Sequence, residues 1–291
     1  MDMNKFLLTG MAVVLAASCT SNRGPFALET RHYAESTAHS SLTMDVELPL
    51  AQGKAATQIR RQLVDVMDEA LSHIDNYEEE RAFPPFDGDV LDSEALFSYY
   101  EKNALESLGS ASDADINDRV AGIRESDGLT EEEKESFIAR LAGWEYEYTL
   151  KKIGETDGYV VFDSQNYISR GGTHGGIIGA GPQTFSKKDG SRITEFFVPD
   201  CLEALQPLLV KGLGVYYQPH FDGDPERLLG HLSLKDGKIP LPEWAPYPSE
   251  KGLELVYQQY EIGPYVDGMP ACTLPWDEVE PFLSPQAKAL L

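Results

Sequence analysis

Strict alternation from Trp144 to Leu150 (Trp-Glu-Tyr-Glu-Tyr-Thr-Leu) limits this chain more than any other feature. Apolar and polar residues trade places at every step, which is the period of a strand with one face buried and one wet. A second run, Tyr159 to Ile168, is richer in apolar residues, and Gly154 to Gly158 supplies a turn between the two. The pair reads as a β-hairpin.

Helical periods dominate the N-terminal side. Leu42 to Leu50 first alternates, with Leu42, Met44, Val46 and Leu48 on one face, and is ended by Pro49. Ile59, Leu63, Val66, Ala70 and Ile74 then recur at helical spacing over residues 55–74. After a break at Phe83-Pro84-Pro85-Phe86-Asp87-Gly88, the positions Leu91, Ala95, Tyr99 and Leu105 predict a helix over 91–108. Thr130 followed by Glu133 has the spacing of a capping box and starts another helix, running to Leu141. Beyond the hairpin, Lys188-Asp189-Gly190-Ser191 is a tight turn and Pro199–Leu213 a helix with Leu202, Leu205, Leu208 and Leu209 on its apolar face. Leu253–Tyr257 and Ala271–Leu274 read as strands, followed by a short helix from Trp276. Strands interrupted by helices and joined by hairpins predict an α+β fold. Its sheet is mixed or antiparallel, packed against helices, with an acidic helical insert. That insert carries fifteen Asp and Glu against four Lys and Arg between Asp87 and Glu135.

The first forty residues predict export. Lys5 precedes an apolar stretch from Phe6 to Ala17, which is short against the ~20 residues of a membrane span. Leu15-Ala16-Ala17-Ser18-Cys19 resembles a lipobox, which implies lipidation at Cys19 and removal of residues 1–18. An ordinary cleaved signal is the alternative. Thr20 rather than Asp after the cysteine implies sorting to the outer membrane. Residues 19–40, rich in Ser, Thr and Ala, are expected to be a flexible tether. Residues 41–141 then form a strand-plus-helix region with the insert, and 142–288 a C-terminal domain. Apolar residues at 42% and aromatics at 10% argue for a folded core. A net charge of −24 excludes nucleic-acid binding by bulk electrostatics and suits either solubility or a cationic partner. Cys201 and Cys272 are left to form one disulfide or to remain two buried thiols.

Six glycines surround a single histidine between Ser169 and Phe185. No Lys follows them as a Walker loop needs, Pro182 stands where a dinucleotide motif needs a helix, and no serine provides a nucleophile elbow. Asp113-x-Asp115-x-Asn117 opens like a calcium loop, but Asp118 and Arg124 occupy the positions of its glycine and bidentate glutamate. Phe-Asp-Gly-Asp occurs at 86–89 and again at 221–224, each read as a turn, with a divalent-ion site as the alternative. Tyr99-Tyr100 and Tyr216-Tyr217 read as core rather than as a sugar platform. No metal or cofactor is expected.

Gly171-Gly172-Thr173-His174-Gly175 after an aromatic-rich strand is joined by a second block, Tyr260-Glu261-Ile262-Gly263-Pro264-Tyr265 and then Pro275-Trp276. Together they resemble the RsiV-like family of bacterial extracytoplasmic domains. Its members include the extracellular half of a lysozyme-sensing anti-sigma factor and the non-catalytic N-terminal part of a peptidoglycan deacetylase. The resemblance runs from about residue 142 to 284. It carries over neither an anti-sigma role nor deacetylase activity, because the segments that would perform them are not matched. It implies that His174 packs in a glycine-lined crossover, bonded to a carbonyl or near Tyr260 and Tyr265. A ligand or partner contact by Gly171–Gly175, Tyr260 and Tyr265 is the second reading, and catalysis by His174 the third. The expected function is that of a lipid-anchored envelope binding protein without catalytic activity, recognising a cationic protein such as lysozyme or a cell-wall component such as peptidoglycan. The alternatives are an enzyme acting on cell-wall glycan and an envelope stress or assembly protein.

Overall fold

Residues 26–74, 81–171 and 175–291 are described by the structure, a computed structural model. Cys19 and the expected signal segment lie outside them. The chain begins with β1 (Leu28–Ser36) and β2 (Ser40–Pro49), continues through α1 (Lys54–Ser72), α2 (Ser93–Glu125) and α3 (Glu131–Ile138), and returns to strands. These are β3 (Trp144–Glu155), β4 (Tyr159–Arg170), β5 (Gly176–Ser186) and the two-residue β6 (Arg192–Ile193). The six strands form one sheet in chain order. All neighbours are antiparallel except β2 and β3, which run parallel from Ser40 opposite Trp144 to Val46 opposite Leu150. The fold is α+β.

A second, smaller assembly follows. It comprises α4 (Leu202–Tyr216), α5 (Gln218–Phe221) and α6 (Pro225–His231), then the antiparallel strands β7 (Tyr247–Pro248), β8 (Gly252–Val256) and β9 (Ala271–Pro275), and lastly α7 (Trp276–Val279) and α8 (Pro285–Lys288). Among the described residues no helix is long and apolar enough to cross a membrane.

The alternation that opens β3 is used as expected. Trp144, Tyr146, Tyr148 and Leu150 are buried against α1 and α2, while Glu145 and Glu147 face solvent. Leu42, Met44, Val46 and Leu48 enter the same core from β2, with Ile59, Leu63 and Met67 from α1 and Phe162 and Phe185 from β4 and β5. A second core gathers Leu205, Leu209 and Leu213 of α4 with Leu253, Leu255 and Leu274 of the small sheet. The two cores part between Phe185 and Ile193, not at residue 142. Parallel pairing of β2 with β3 welds the segments expected to be separate regions into one sheet.

Two further expectations are corrected. Residues 28–36, inside the expected tether, are strand β1, and two ion pairs explain why so polar a stretch is ordered. Arg60 of α1, only 2% exposed, donates to Glu29 Oε2 at 2.9 Å, to the carbonyls of Val90 and Pro49, and to Ser93 Oγ. Arg31 forks onto Glu101 of α2 at 2.6 and 3.0 Å. The second correction concerns α2, which runs 33 residues, well past 108. Its inner face is Leu96, Phe97, Tyr100, Ala104, Leu108, Ser112 and Ile116, whereas Ala95 is exposed and Leu91 precedes the helix. The sequence hides this face because small and polar residues fill its C-terminal half. There Ser112 accepts from Trp144 N at 3.0 Å and donates to the His39 carbonyl, pinning the starts of β2 and β3. The acidic helices are therefore in part a wall of the first core and not an appended insert. Asp113, Asp115 and Asn117, whose spacing already departed from a calcium loop, lie on α2, where Asp115 accepts from Trp144 Nε1 and pairs with Arg119. The capping box at Thr130 and Glu133 is present as predicted.

Removing one partner of a buried pair leaves the other charge uncompensated, at a cost of ~3–5 kcal/mol. Arg60→Met should lower stability by that order in urea denaturation, and adding Glu29→Gln should recover part of the loss. An unchanged midpoint in the single variant contradicts the role assigned to Arg60.

Candidate functional site

The glycine stretch is a seam between the two cores. Gly171 closes β4 with its N–H on the Gly143 carbonyl at 3.2 Å, and lies against the Arg119 side chain of α2. Gly172, Thr173 and His174 lie outside the described residues. The Gly175 carbonyl accepts from the Tyr265 hydroxyl at 2.8 Å, and any side chain at Gly175 would overlap the Tyr167 ring. Tyr260 leans on Tyr265 with ring centroids 5.5 Å apart, takes a left-handed φ of 69°, and remains 66% exposed. The structure thus joins Gly175, Tyr265 and Tyr260, and turns Gly171 toward α2 instead.

Along β5 the seam continues with contacts that sequence reading missed. Strand β6 pairs with β5 only at Thr184 and Phe185, so among the described residues the outer edge of β5 before them has no strand neighbour. Side chains from the second half close it. Ile177 N donates to Gln259 Oε1 at 3.2 Å, and Trp244 Nε1 donates to the Gly179 carbonyl at 2.9 Å. Gly181, with φ 65°, passes under the Trp244 indole where a Cβ has no room. Pairing an edge with side chains satisfies its polar groups and denies it to another chain. The one sequence signal for Trp244 was an aromatic residue among the prolines of 240–248.

Beside this seam a cleft of about 670 Å³ opens between α1 and the β4–β6 strands. Val66 and Ala70 of α1 and Phe185 of β5 give it an apolar floor, while Asp65 and Glu69 stand on the helix side and Arg192 on the strand side. Val66 belongs to the apolar period of α1 yet is only partly buried, because it faces this space. Asp65 is held above the usual carboxylate range by desolvation and by the neighbouring charge of Asp68.

The remaining candidates resolve into structural roles. Asp222 ends α5 in a left-handed conformation and Asp224 caps α6 through the Glu226 N–H, so the second Phe-Asp-Gly-Asp is a turn between two helices. At the first, Asp89 accepts from Leu91 N, again as a turn. Tyr100 and Tyr217 are core residues, and Tyr217 and His231 both bond Asp267 Oδ2, at 3.0 and 2.6 Å. Cys201 and Cys272 are free and buried, and burial pushes the Cys272 thiol up to about 12. Of the two readings of the cysteines, packed thiols hold. Among the described residues no group of three or more His, Cys, Asp and Glu is placed to hold a metal ion.

Fold and site together define an α+β protein of two cores sutured along a glycine-bearing strand. Residues 194–277, within the second half, match the profile of a family described as "Protein of unknown function (DUF3298)". Two solved structures are similar over almost the whole chain. A DUF3298 family protein from Pseudomonas aeruginosa PAO1 is 13% identical, with 93% of this chain and 99% of that one covered and a TM-score of 0.56. A member of the same family from Bacteroides fragilis NCTC 9343 is 16% identical, with the same coverage and a TM-score of 0.62. At such identities the likeness establishes the fold alone. No curated protein matches the chain.

One titrating group lies in β4, the strand that precedes the seam. Burial raises Asp163 to about 6, opposed by a hydrogen bond from Gln165 Nε2 at 2.7 Å. Because the folded value lies above the unfolded one, the burial cost is fully present above pH 6 and disappears as pH falls toward the ordinary value of ~4. Asp163→Asn should therefore stabilise the chain by ~2–3 kcal/mol at pH 7. At pH 4 it should leave the melting temperature unchanged. A difference that is the same at both pH values assigns the effect to packing instead.

Proposed function

We propose that the protein is a binding protein of the bacterial cell envelope, held at the membrane by lipid on Cys19, that recognises a basic protein through the outer faces of α2 and α3 without catalysing a reaction. The observation that carries this reading is the disposition of charge between Asp87 and Glu135. Of the fifteen carboxylates there, Glu101 is buried against Arg31 and Asp115 is half-buried beside Trp144 and Arg119; the other thirteen are exposed. They are spread along a helix of 33 residues, ~50 Å long, and the short helix after it. A field of one sign over that length speeds encounter with a cationic partner and selects against anionic ones. The resemblance of Gly171–Gly175 and Tyr260–Tyr265 to RsiV-like domains, one of which senses lysozyme, points to the same partner chemistry. The envelope location rests on the lipobox at Leu15–Cys19.

Calorimetry with lysozyme tests recognition. Binding should appear at low salt and weaken steeply toward physiological salt, where the screening length is ~8 Å. Converting Glu106, Asp118 and Glu135 to their amides should lower the low-salt affinity without moving the melting temperature, since all three are exposed. Absence of heat at low salt, or an affinity indifferent to salt, rejects the electrostatic reading. Attachment is tested separately by Cys19→Ser, which should move the protein from the membrane to the soluble fraction on fractionation. Retention in the membrane rejects the anchor.

A further inference from the structure

We propose that the cleft between α1 and the β4–β6 strands binds a short peptide with a free ammonium end and a free carboxylate end. The cleft holds about 670 Å³, within the range of sites that enclose small organic ligands. Its charges are complementary but do not meet. Among the described residues Arg192 forms no ion pair, and neither does Asp65, although both line the same space from opposite walls. Glu69, one helical turn beyond Asp65, is already shared with His73 and Arg81 at 3.5 and 3.4 Å, so Asp65 is the carboxylate left for a ligand cation. Desolvation and the charge of Asp68 already disfavour its ionised form, and an ammonium group would relieve both.

A ligand carrying both charges bridges the gap that the two side chains leave. Between them lie Val66, Ala70 and Phe185, which suit an apolar side chain, and Gln258, whose carboxamide matches the donors and acceptors of a peptide unit. Arg192 offers a planar fork to a carboxylate, the pairing for which guanidinium geometry is best suited. Charge at both ends, an apolar middle and an amide beside it describe a peptide of two or three residues better than a sugar or a nucleotide. The cleft is on α1, away from the exposed carboxylates of α2 and α3, so its occupancy and the binding of a basic protein succeed or fail separately.

The test is calorimetry of the full chain in detergent with the tripeptide Ala-Leu-Ala in four forms: free ends, acetylated amino end, amidated carboxyl end, and both ends blocked. The free peptide should bind, and each block should weaken it by about tenfold or more, the scale of one lost charge-assisted hydrogen bond. Arg192→Gln should erase the preference for a free carboxylate and keep that for a free ammonium; Asp65→Asn should do the reverse. Both side chains are exposed at the rim, so neither variant should melt below the parent. The proposal is overturned if the doubly blocked peptide binds as tightly as the free one, if the free peptide gives no heat at millimolar concentration, or if neither variant changes the preference.

Discussion

Arg60 is a charge placed where four segments converge, and the rest of the first core is arranged around satisfying it. Its guanidinium reaches Glu29 of β1, the carbonyl that ends β2, the Val90 carbonyl ahead of α2, and Ser93 in the first turn of that helix. Ser93 in turn donates to the same Glu29 oxygen at 2.7 Å, so the acid is held from two sides. A buried ion pair contributes little net stability over an apolar pair of the same shape, but it tolerates few alternative arrangements. The consequence here is positional. Strand β1 has too few apolar residues to be fixed by burial, and Glu29 and Arg31 place it where hydrophobicity alone would not.

That distinction explains how much of the fold was legible. Periodicity finds an element when its side chains alternate between core and water, and so β2, β3, β4 and α1 were readable. It fails where polar residues are used as structural parts. Strand β1 reads as a polar tether because its inward positions are Glu29, Arg31 and Tyr33. The C-terminal half of α2 reads as a break because its inward positions include Gly109 and Ser112, small enough for the helix to approach Thr37, Ser40 and the His39 carbonyl. In both cases the compensating partner lies far away in sequence, and no local pattern announces it.

The candidate site divides in the same way. That the glycines serve close backbone approach was readable from their number, and Gly175 and Gly181 do so against Tyr167 and Trp244. The expected place of His174 near Tyr260 and Tyr265 falls outside the described residues; what is seen there is the Tyr265 hydroxyl donating to the Gly175 carbonyl. The cleft was not foreseen, because it is a space and not a motif. Asp65 reads as one more solvated acid on α1, and Arg192 as part of a turn. Only the packing of the β5–β6 turn onto α1, through Gln62 Nε2 on the Gly190 carbonyl at 2.7 Å, brings them to opposite sides of one volume.

The parallel pairing of β2 with β3 sets the timetable of folding. Ser40 and Trp144 are neighbours in the sheet yet roughly one hundred residues apart in the chain, whereas β3, β4 and β5 follow one another closely in sequence. Closing so long a loop costs entropy before any contact repays it, and pairings of that kind form late. The meander of β3 to β5 is thus the natural nucleus, and the β1–β2 hairpin its last addition, once α1 and α2 exist to carry it across. Until then the edge of β2 that β3 will take stays unpaired, on a strand whose one face carries Leu42, Met44, Val46 and Leu48. A chain emerging N-terminus first carries that open edge from the start of synthesis and cannot shelter it until Trp144 has been made, so its period of greatest risk for misassociation is written into its topology.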